Sequence, residues 1–170
     1  IIRGLVGSEM CIRDRRCVAF GFTPWKQRSL RRFLAGSQLR FRAPWQRIPQ
    51  GADAVVVWGR RAKPRLLEAA ARRQLPVLQV EDGFLRSVGL GADLVDPVSW
   101  VVDHQGVYYD ATRPSDLETL LATQQWTSAQ CQRAAALRQR LVQEAITKYN
   151  LQAEPWCRPC LLYTSDAADD

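Results

Sequence analysis

The sequence predicts an α/β fold: a parallel sheet flanked by helices, followed by a β-hairpin and a long C-terminal helix. Three observations carry this reading. Short apolar runs rich in β-branched residues recur at residues 17–22, 54–58 and 76–80, the pattern of buried strands. Between them lie stretches with apolar residues at helical spacing. The strand, helix and strand between residues 54 and 80 have the spacing of a βαβ unit, which requires parallel strands and implies a right-handed crossover.

Taken in order, residues 17–22 form a strand closed by Gly21. A helix is predicted from Pro24, with Trp25, Leu30, Phe33 and Leu34 at helical spacing and Gly36 just past its end. Residues 39–42 read as a short second strand, and residues 44–51 as loop. Residues 54–58 are the clearest buried strand, ended by Gly59. Residues 64–74 follow as a helix with proline in its first turn, and residues 76–80 as the next strand. Residues 100–103 and 107–110 flank His104-Gln105-Gly106, which predicts the hairpin. Ser115-Asp116-Leu117-Glu118 is a capping box that opens a short helix. Residues 128–149 predict the long helix, with Leu137, Leu141, Ala145 and Ile146 on one face.

Composition excludes several classes. A chain of 170 residues that is 46% hydrophobic and 24% charged is not disordered. No apolar run approaches the roughly 18 residues of a membrane span. Five cysteines and one histidine match neither a zinc cluster nor a disulfide framework, so no metal is expected. The net charge is +7, and the basic excess is lopsided: residues 16–73 hold 14 basic side chains against Asp53 and Glu68. Such an excess suits an anionic partner.

The two ends are predicted not to belong to the protein. Cys160-Leu161-Leu162-Tyr163-Thr164-Ser165 can be encoded by a DNA string whose opposite strand, read one frame over, encodes Met10-Cys11-Ile12-Arg13-Asp14. Residues 1–15 and 160–170 therefore read as the two strands of one sequencing-adapter element, and are expected to pack poorly on the rest. Residues 16–159 then form one lobe, a gene fragment cut at both ends.

Ligands of open α/β sheets bind beyond the carboxyl ends of the strands. Three such ends are unusual here: Gly21 to Lys26, then Gly59-Arg60-Arg61, then Glu81 to Ser87. Adjacent carboxylates beside an arginine form a candidate acid/base or nucleophile group, and Trp25 and Trp58 can wall a sugar site. A turn with a helix cap would also explain Glu81 and Asp82. His104 reads as a polar turn residue rather than a catalytic one.

The run Glu81-Asp82-Gly83-Phe84-Leu85-Arg86-Ser87-Val88-Gly89-Leu90-Gly91, with Ser99-Trp100-Val101-Val102-Asp103 and the segment from Gly106 to Glu118, resembles the KpsC family of capsule polysaccharide β-Kdo transferases. Val57-Trp58-Gly59 and Thr147-Lys148-Tyr149-Asn150-Leu151 match it too. The resemblance implies the first, Rossmann-like lobe of a GT-B-like glycosyltransferase. The family uses CMP-Kdo, where Kdo is 3-deoxy-D-manno-oct-2-ulosonic acid, to extend a lipid-linked oligo-Kdo acceptor with retention of configuration. It needs no cofactor beyond the donor. It works with capsule assembly proteins at the cytoplasmic, inner face of the bacterial inner membrane, in peripheral contact with it.

On that resemblance Asp82 is the expected nucleophile and Glu81 a supporting carboxylate or base. Gly83, Arg86, Ser87, Gly59, Arg60 and Trp25 are expected around the substrate. Gly83 would spare the sugar the crowding of a side chain, and Arg86 would pair with the donor or keep the nucleophile ionised. Asp82→Asn is expected to abolish transfer while leaving the fold intact. The sequence holds no His-Pro pair, the element expected to grip the cytidylate, so the fragment alone is expected to be inactive. A non-enzymatic basic module binding an anionic lipid surface or nucleic acid is the alternative, although no recognition helix or stacking sheet favours nucleic acid.

Overall fold

The structure, a computed structural model, describes residues 15–151. The segments expected to be adapter-derived, Arg15 apart, lie outside the described residues. So do Leu161, Leu162 and Tyr163, on which the packing expectation rests.

Five strands form one sheet in the order β2-β1-β3-β4-β5. They are β1 (Arg16–Phe20), β2 (Gln38–Arg42), β3 (Ala54–Trp58), β4 (Val77–Asp82) and β5 (Trp100–Asp103). The first four run parallel, as predicted, and β5 joins antiparallel to β4 with Trp100 opposite Asp82. Helix α1 (Pro24–Phe33) connects β1 to β2, and α2 (Pro64–Arg72) connects β3 to β4. Both begin with proline, whose missing N–H costs nothing in a first turn.

The pleat sorts the core into two layers, because successive strand residues point to opposite faces. Cys17, Ala19, Ala54, Val56, Trp58, Leu78 and Val80 pack with Leu30 and Leu34 of α1 and its flank. Val18, Phe20, Val55 and Val57 pack with Leu66 and Ala70 of α2. All five residues of β3 are buried, as a central parallel strand covered on both faces requires. Each valine so buried contributes about 1.5–3 kcal/mol.

Beyond β4 the chain makes an excursion and returns as β5, pinned where it re-enters the sheet by Gly83 N–H donating to the Ser99 carbonyl. Helix α3 (Asp116–Thr123) opens with the predicted capping box, Ser115 and Glu118 bonding each other's backbone N–H. Helix α4 spans Ser128–Gln143.

Two expectations are corrected. The hairpin around His104 does not form: β5 pairs with β4, and residues 107–110 make a turn. The cause is Asp103, 1% exposed. Its carboxylate accepts the N–H groups of Gln105 (2.8 Å), Gly106 (2.7 Å) and Asp116 (2.9 Å), which curls the chain towards α3 instead of letting it pair back. His104 sits in that turn, its ring Nδ1 2.8 Å from Asp116.

The long helix is also shorter than predicted. It ends at Gln143 because Ala145 adopts a left-handed φ of 50°. The Ile146 N–H then bonds the Leu141 carbonyl and the Ala145 N–H that of Val142, a Schellman closure. No residue of α4 is buried, so its apolar stripe is uncovered among the described residues.

Asp103→Ala should lower stability by on the order of 3 kcal/mol, since three N–H groups lose their acceptor. Asp103→Asn, which keeps one oxygen, should fall between the two in urea denaturation.

Candidate active site at the carboxyl edge

The parallel strands deliver their carboxyl ends to one edge. Register puts Phe20 beside Val57 and Trp58 beside Val80, and the Gly59 N–H donates to the Val80 carbonyl at 2.8 Å. Gly21, Gly59 and Asp82 therefore gather there, as the sequence predicts.

The pleat then separates the two adjacent carboxylates. Asp82 follows Leu78 and Val80 onto the α1 face, whereas Glu81 follows Val77 to the other. On the α1 face lies a cleft of about 370 Å³, lined by Asp82 and Arg86, by Trp25 and Lys26 of α1, by Leu90 to Ala92 and by Tyr149. A volume of that order suits part of a sugar nucleotide.

Asp82 is held from three sides. Its Oδ1 accepts the Trp100 indole N–H at 3.1 Å and lies 3.1 Å from Arg86 Nε. Its carbonyl accepts the Tyr108 hydroxyl at 3.1 Å. Trp100 is fixed in turn by stacking on Phe33 and by an edge contact with Trp58, so the carboxylate is tied to the core through aromatic rings.

Arg86 is 1% exposed. Its Nη1 donates to Ser87 Oγ (2.7 Å) and to the Val95 carbonyl (3.0 Å). The Nε contact with Asp82 is ionic rather than a directed hydrogen bond, since Nε has no aligned acceptor. The backbone around it is also engaged: the Arg86 and Ser87 N–H groups both reach the Lys148 carbonyl, and that of Gly89 reaches Tyr149.

Glu81 occupies a separate nest. Its Oε2 accepts the Tyr109 hydroxyl at 2.9 Å and its Oε1 the Asp82 N–H at 3.0 Å. Burial, helped by the Glu81 carboxylate, pushes the Tyr109 phenol up to about 12, so it remains a donor. Gly59 permits this contact: it adopts a φ of 49°, and a Cβ there would lie 2.7 Å from Glu81 Oε2 and 2.8 Å from the Tyr109 oxygen.

Of the predicted site residues, Asp82, Arg86 and Trp25 meet in the cleft. Glu81 and Gly59 adjoin each other beside it. Arg60 points elsewhere, 3.1 Å from the buried carboxylate of Asp110. Ser87 is 2% exposed and bonds inward to the Gly89 carbonyl. Gly83 is buried, and a Cβ there would collide with Ser99, a packing requirement independent of any ligand.

Lys26, Tyr109 and Tyr149 were not singled out by sequence reasoning. Lys26 could have been: it is one of only three lysines among 24 basic residues, and it follows a strand mouth in the first turn of a helix. Its Nζ lies 3.2 Å from the centre of the Trp58 ring. Burial pushes its ammonium down to about 8, against the pull of the Asp82 and Glu81 carboxylates. Among the described residues no group of three or more His, Cys, Asp or Glu side chains is arranged to hold a metal ion.

The ion pair qualifies the expectation for Asp82→Asn. The substitution removes the counter-ion of a buried guanidinium, so it should cost about 1.5–3 kcal/mol, the range for contacts with charged groups. In an Arg86→Met background, where no cation is left unpaired, the same change should cost less than half as much. A double-mutant cycle by urea denaturation measures both.

A family profile described as "Capsule polysaccharide biosynthesis protein" matches residues 53–158, more than half of the chain. The chain is 34% identical over 145 residues to "Capsule polysaccharide modification protein LipA" of Neisseria meningitidis, covering 82% of this chain and 20% of that protein. It is 39% identical over 111 residues to "Lipopolysaccharide-processing protein LpsZ" of Rhizobium meliloti, covering 61% of this chain and 25% of that one. Among solved structures it is similar to the KpsC beta Kdo 2,4 transferase of Thermosulfurimonas dismutans, with a TM-score of 0.71 and 33% identity over 86% of this chain and 46% of that one. The beta Kdo 2,7 transferase of the same protein gives a TM-score of 0.54 and 26% identity, over 75% and 43% respectively. The chain thus spans a fifth to a quarter of the curated relatives it matches. With the sheet topology and the Glu81 to Gly91 segment in place, the chain belongs to the capsule polysaccharide biosynthesis protein family.

Proposed function

We propose that this chain is the lobe of a retaining β-Kdo transferase that carries the nucleophile, and that the full-length enzyme moves Kdo from CMP-Kdo to a lipid-linked oligo-Kdo acceptor. The observation that carries the reading is Asp82, a carboxylate at the end of a rigid parallel strand, facing a cleft and paired with a buried arginine. Similarity to two KpsC transferase structures supports the same chemistry.

In this reading an Asp82 oxygen attacks the anomeric carbon of Kdo as the bond to the CMP phosphate breaks, and CMP leaves with the electron pair. A phosphate is a stable leaving group, so no acid is required. An acceptor hydroxyl then attacks the glycosyl ester, its proton passes to a base, and the Asp82 carboxylate is regenerated. Two inversions give retention. Arg86 lies 3.1 Å from Asp82 and, being buried, serves the carboxylate rather than the sugar. Trp100 holds the oxygen in place.

Glu81 already accepts two hydrogen bonds on the opposite face, which makes Asp82 the better nucleophile. Glu81 remains the candidate base for the second step. No metal takes part. The enzyme acts at the cytoplasmic face of the inner membrane, where its lipid-anchored acceptor would lie.

In the full-length enzyme Asp82→Asn should nearly abolish transfer, because an amide is a poor nucleophile. Peptide mass spectrometry after incubation with CMP-Kdo should find a Kdo increment on the peptide containing Asp82 in a variant slowed in its second step. Near-normal turnover by Asp82→Asn would refute the assignment and turn attention to Glu81.

A further inference from the structure

We propose that Lys26 reads the carboxylate of the donor sugar and so restricts the cleft to ulosonic acids. The inference rests on the transferase reading above and extends it to the residue that selects the donor.

Three charged side chains line the cleft: Asp82, Arg86 and Lys26. The first two neutralise each other at 3.1 Å. Arg86 is 1% exposed and already engaged: its Nε faces Asp82, its Nη1 is committed to Ser87 and Val95, and Gly91 packs against the guanidinium. Lys26 is different. It is half-buried, and among the described residues no carboxylate lies within ion-pair distance of it. Its recorded contacts are the faces of Trp58 (3.2 Å) and Trp25 (5.5 Å). An ammonium carries three donors, and ring faces do not satisfy all of them.

The substrate chemistry gives this cation a task. In an ulosonic acid the carboxylate is bonded to the anomeric carbon itself. A nucleophilic Asp82 attacking that carbon must approach a second carboxylate, and two anions at such separation repel strongly. A cation in the same cleft removes the repulsion. Selection follows: a neutral aldose would leave the half-buried ammonium unpaired, whereas an ulosonate pairs it.

The charge of Lys26 sets a pH limit. The carboxylates of Asp82 and, from the other face, Glu81 pull on it, the guanidiniums of Arg61 and Arg86 oppose them, and Tyr149 also lines the cleft. With its ammonium at about 8, Lys26 is charged below that pH and neutral above it. Donor recognition should therefore weaken as pH rises through 8.

The test uses the full-length enzyme with two donors, CMP-Kdo and its analogue in which the sugar carboxylate is a carboxamide. Lys26→Met should fold with an unchanged melting temperature and lose on the order of 10²–10³-fold in kcat/KM with CMP-Kdo. The carboxamide should cost the wild type a similar factor and cost Lys26→Met little more. Lys26→Arg should keep most activity and lose the alkaline limb near pH 8. Equal losses by Lys26→Met with both donors, or no loss with either, would overturn the role of Lys26 while leaving the transferase standing. Absence of any wild-type turnover with CMP-Kdo would instead overturn the transferase reading itself.

Discussion

A guanidinium removed from water must be matched by its surroundings, and the burial of Arg86 organises much of this molecule. Desolvating such an ion costs several kcal/mol before any partner is counted. Its neighbours come from four separate places: Asp82 at the end of β4, Ser87 next in the chain, the Val95 carbonyl in the returning loop, and Gly91, which packs against the guanidinium. The backbone of the same segment is held by residues 148 and 149, far along the sequence, and Asn150 donates to the Ser87 carbonyl. A strand end, a loop and the segment after α4 are thereby joined around one charge. The cleft is the space left beside that junction.

This arrangement explains why a reactive carboxylate can be kept in one orientation. Asp82 sits at the last position of β4, paired with Trp100 of β5 after the pairing with β3 has ended at Val80, and its carbonyl accepts the Tyr108 hydroxyl. Its side chain is fixed by an indole and a cation, and the indole is wedged between Phe33 and Trp58. Helix α1, which follows β1, brings Trp25 and Lys26 into the lining of the same cleft. Preorganisation of this kind suits the proposed displacement at a ketose carbon.

Much of the fold was legible because it depends on local patterning. Apolar runs at residues 17–22, 54–58 and 76–80 became β1, β3 and β4 in parallel, and prolines at 24 and 64 marked the helix starts to the residue. The capping box at Ser115 is a purely local device and formed as written. The failures share a cause. The segment from 107 to 110 has strand-like composition, yet Asp103 spends its acceptors on three N–H groups that include one from α3. Likewise the helix predicted to Tyr149 stops at Gln143, and the stripe through Leu137 and Leu141 states that a face is apolar without naming what covers it.

The site divides in the same way. The sequence by itself determined that Asp82, Glu81, Arg86 and Trp25 lie at the mouths of parallel strands, because strand direction and alternation follow from local pattern. Only the tertiary structure decided their surroundings. It set Asp82 and Glu81 on opposite faces, turned Ser87 inward, drew Arg60 to Asp110 and buried Arg86 against Asp82. It also left Lys26 in the cleft with no carboxylate of the described residues at ion-pair distance. Local sequence sets which way a strand runs and which residues alternate along it. Whether a charge is spent inside the protein or left for a substrate depends on partners tens of residues away, and those are chosen only when the chain packs.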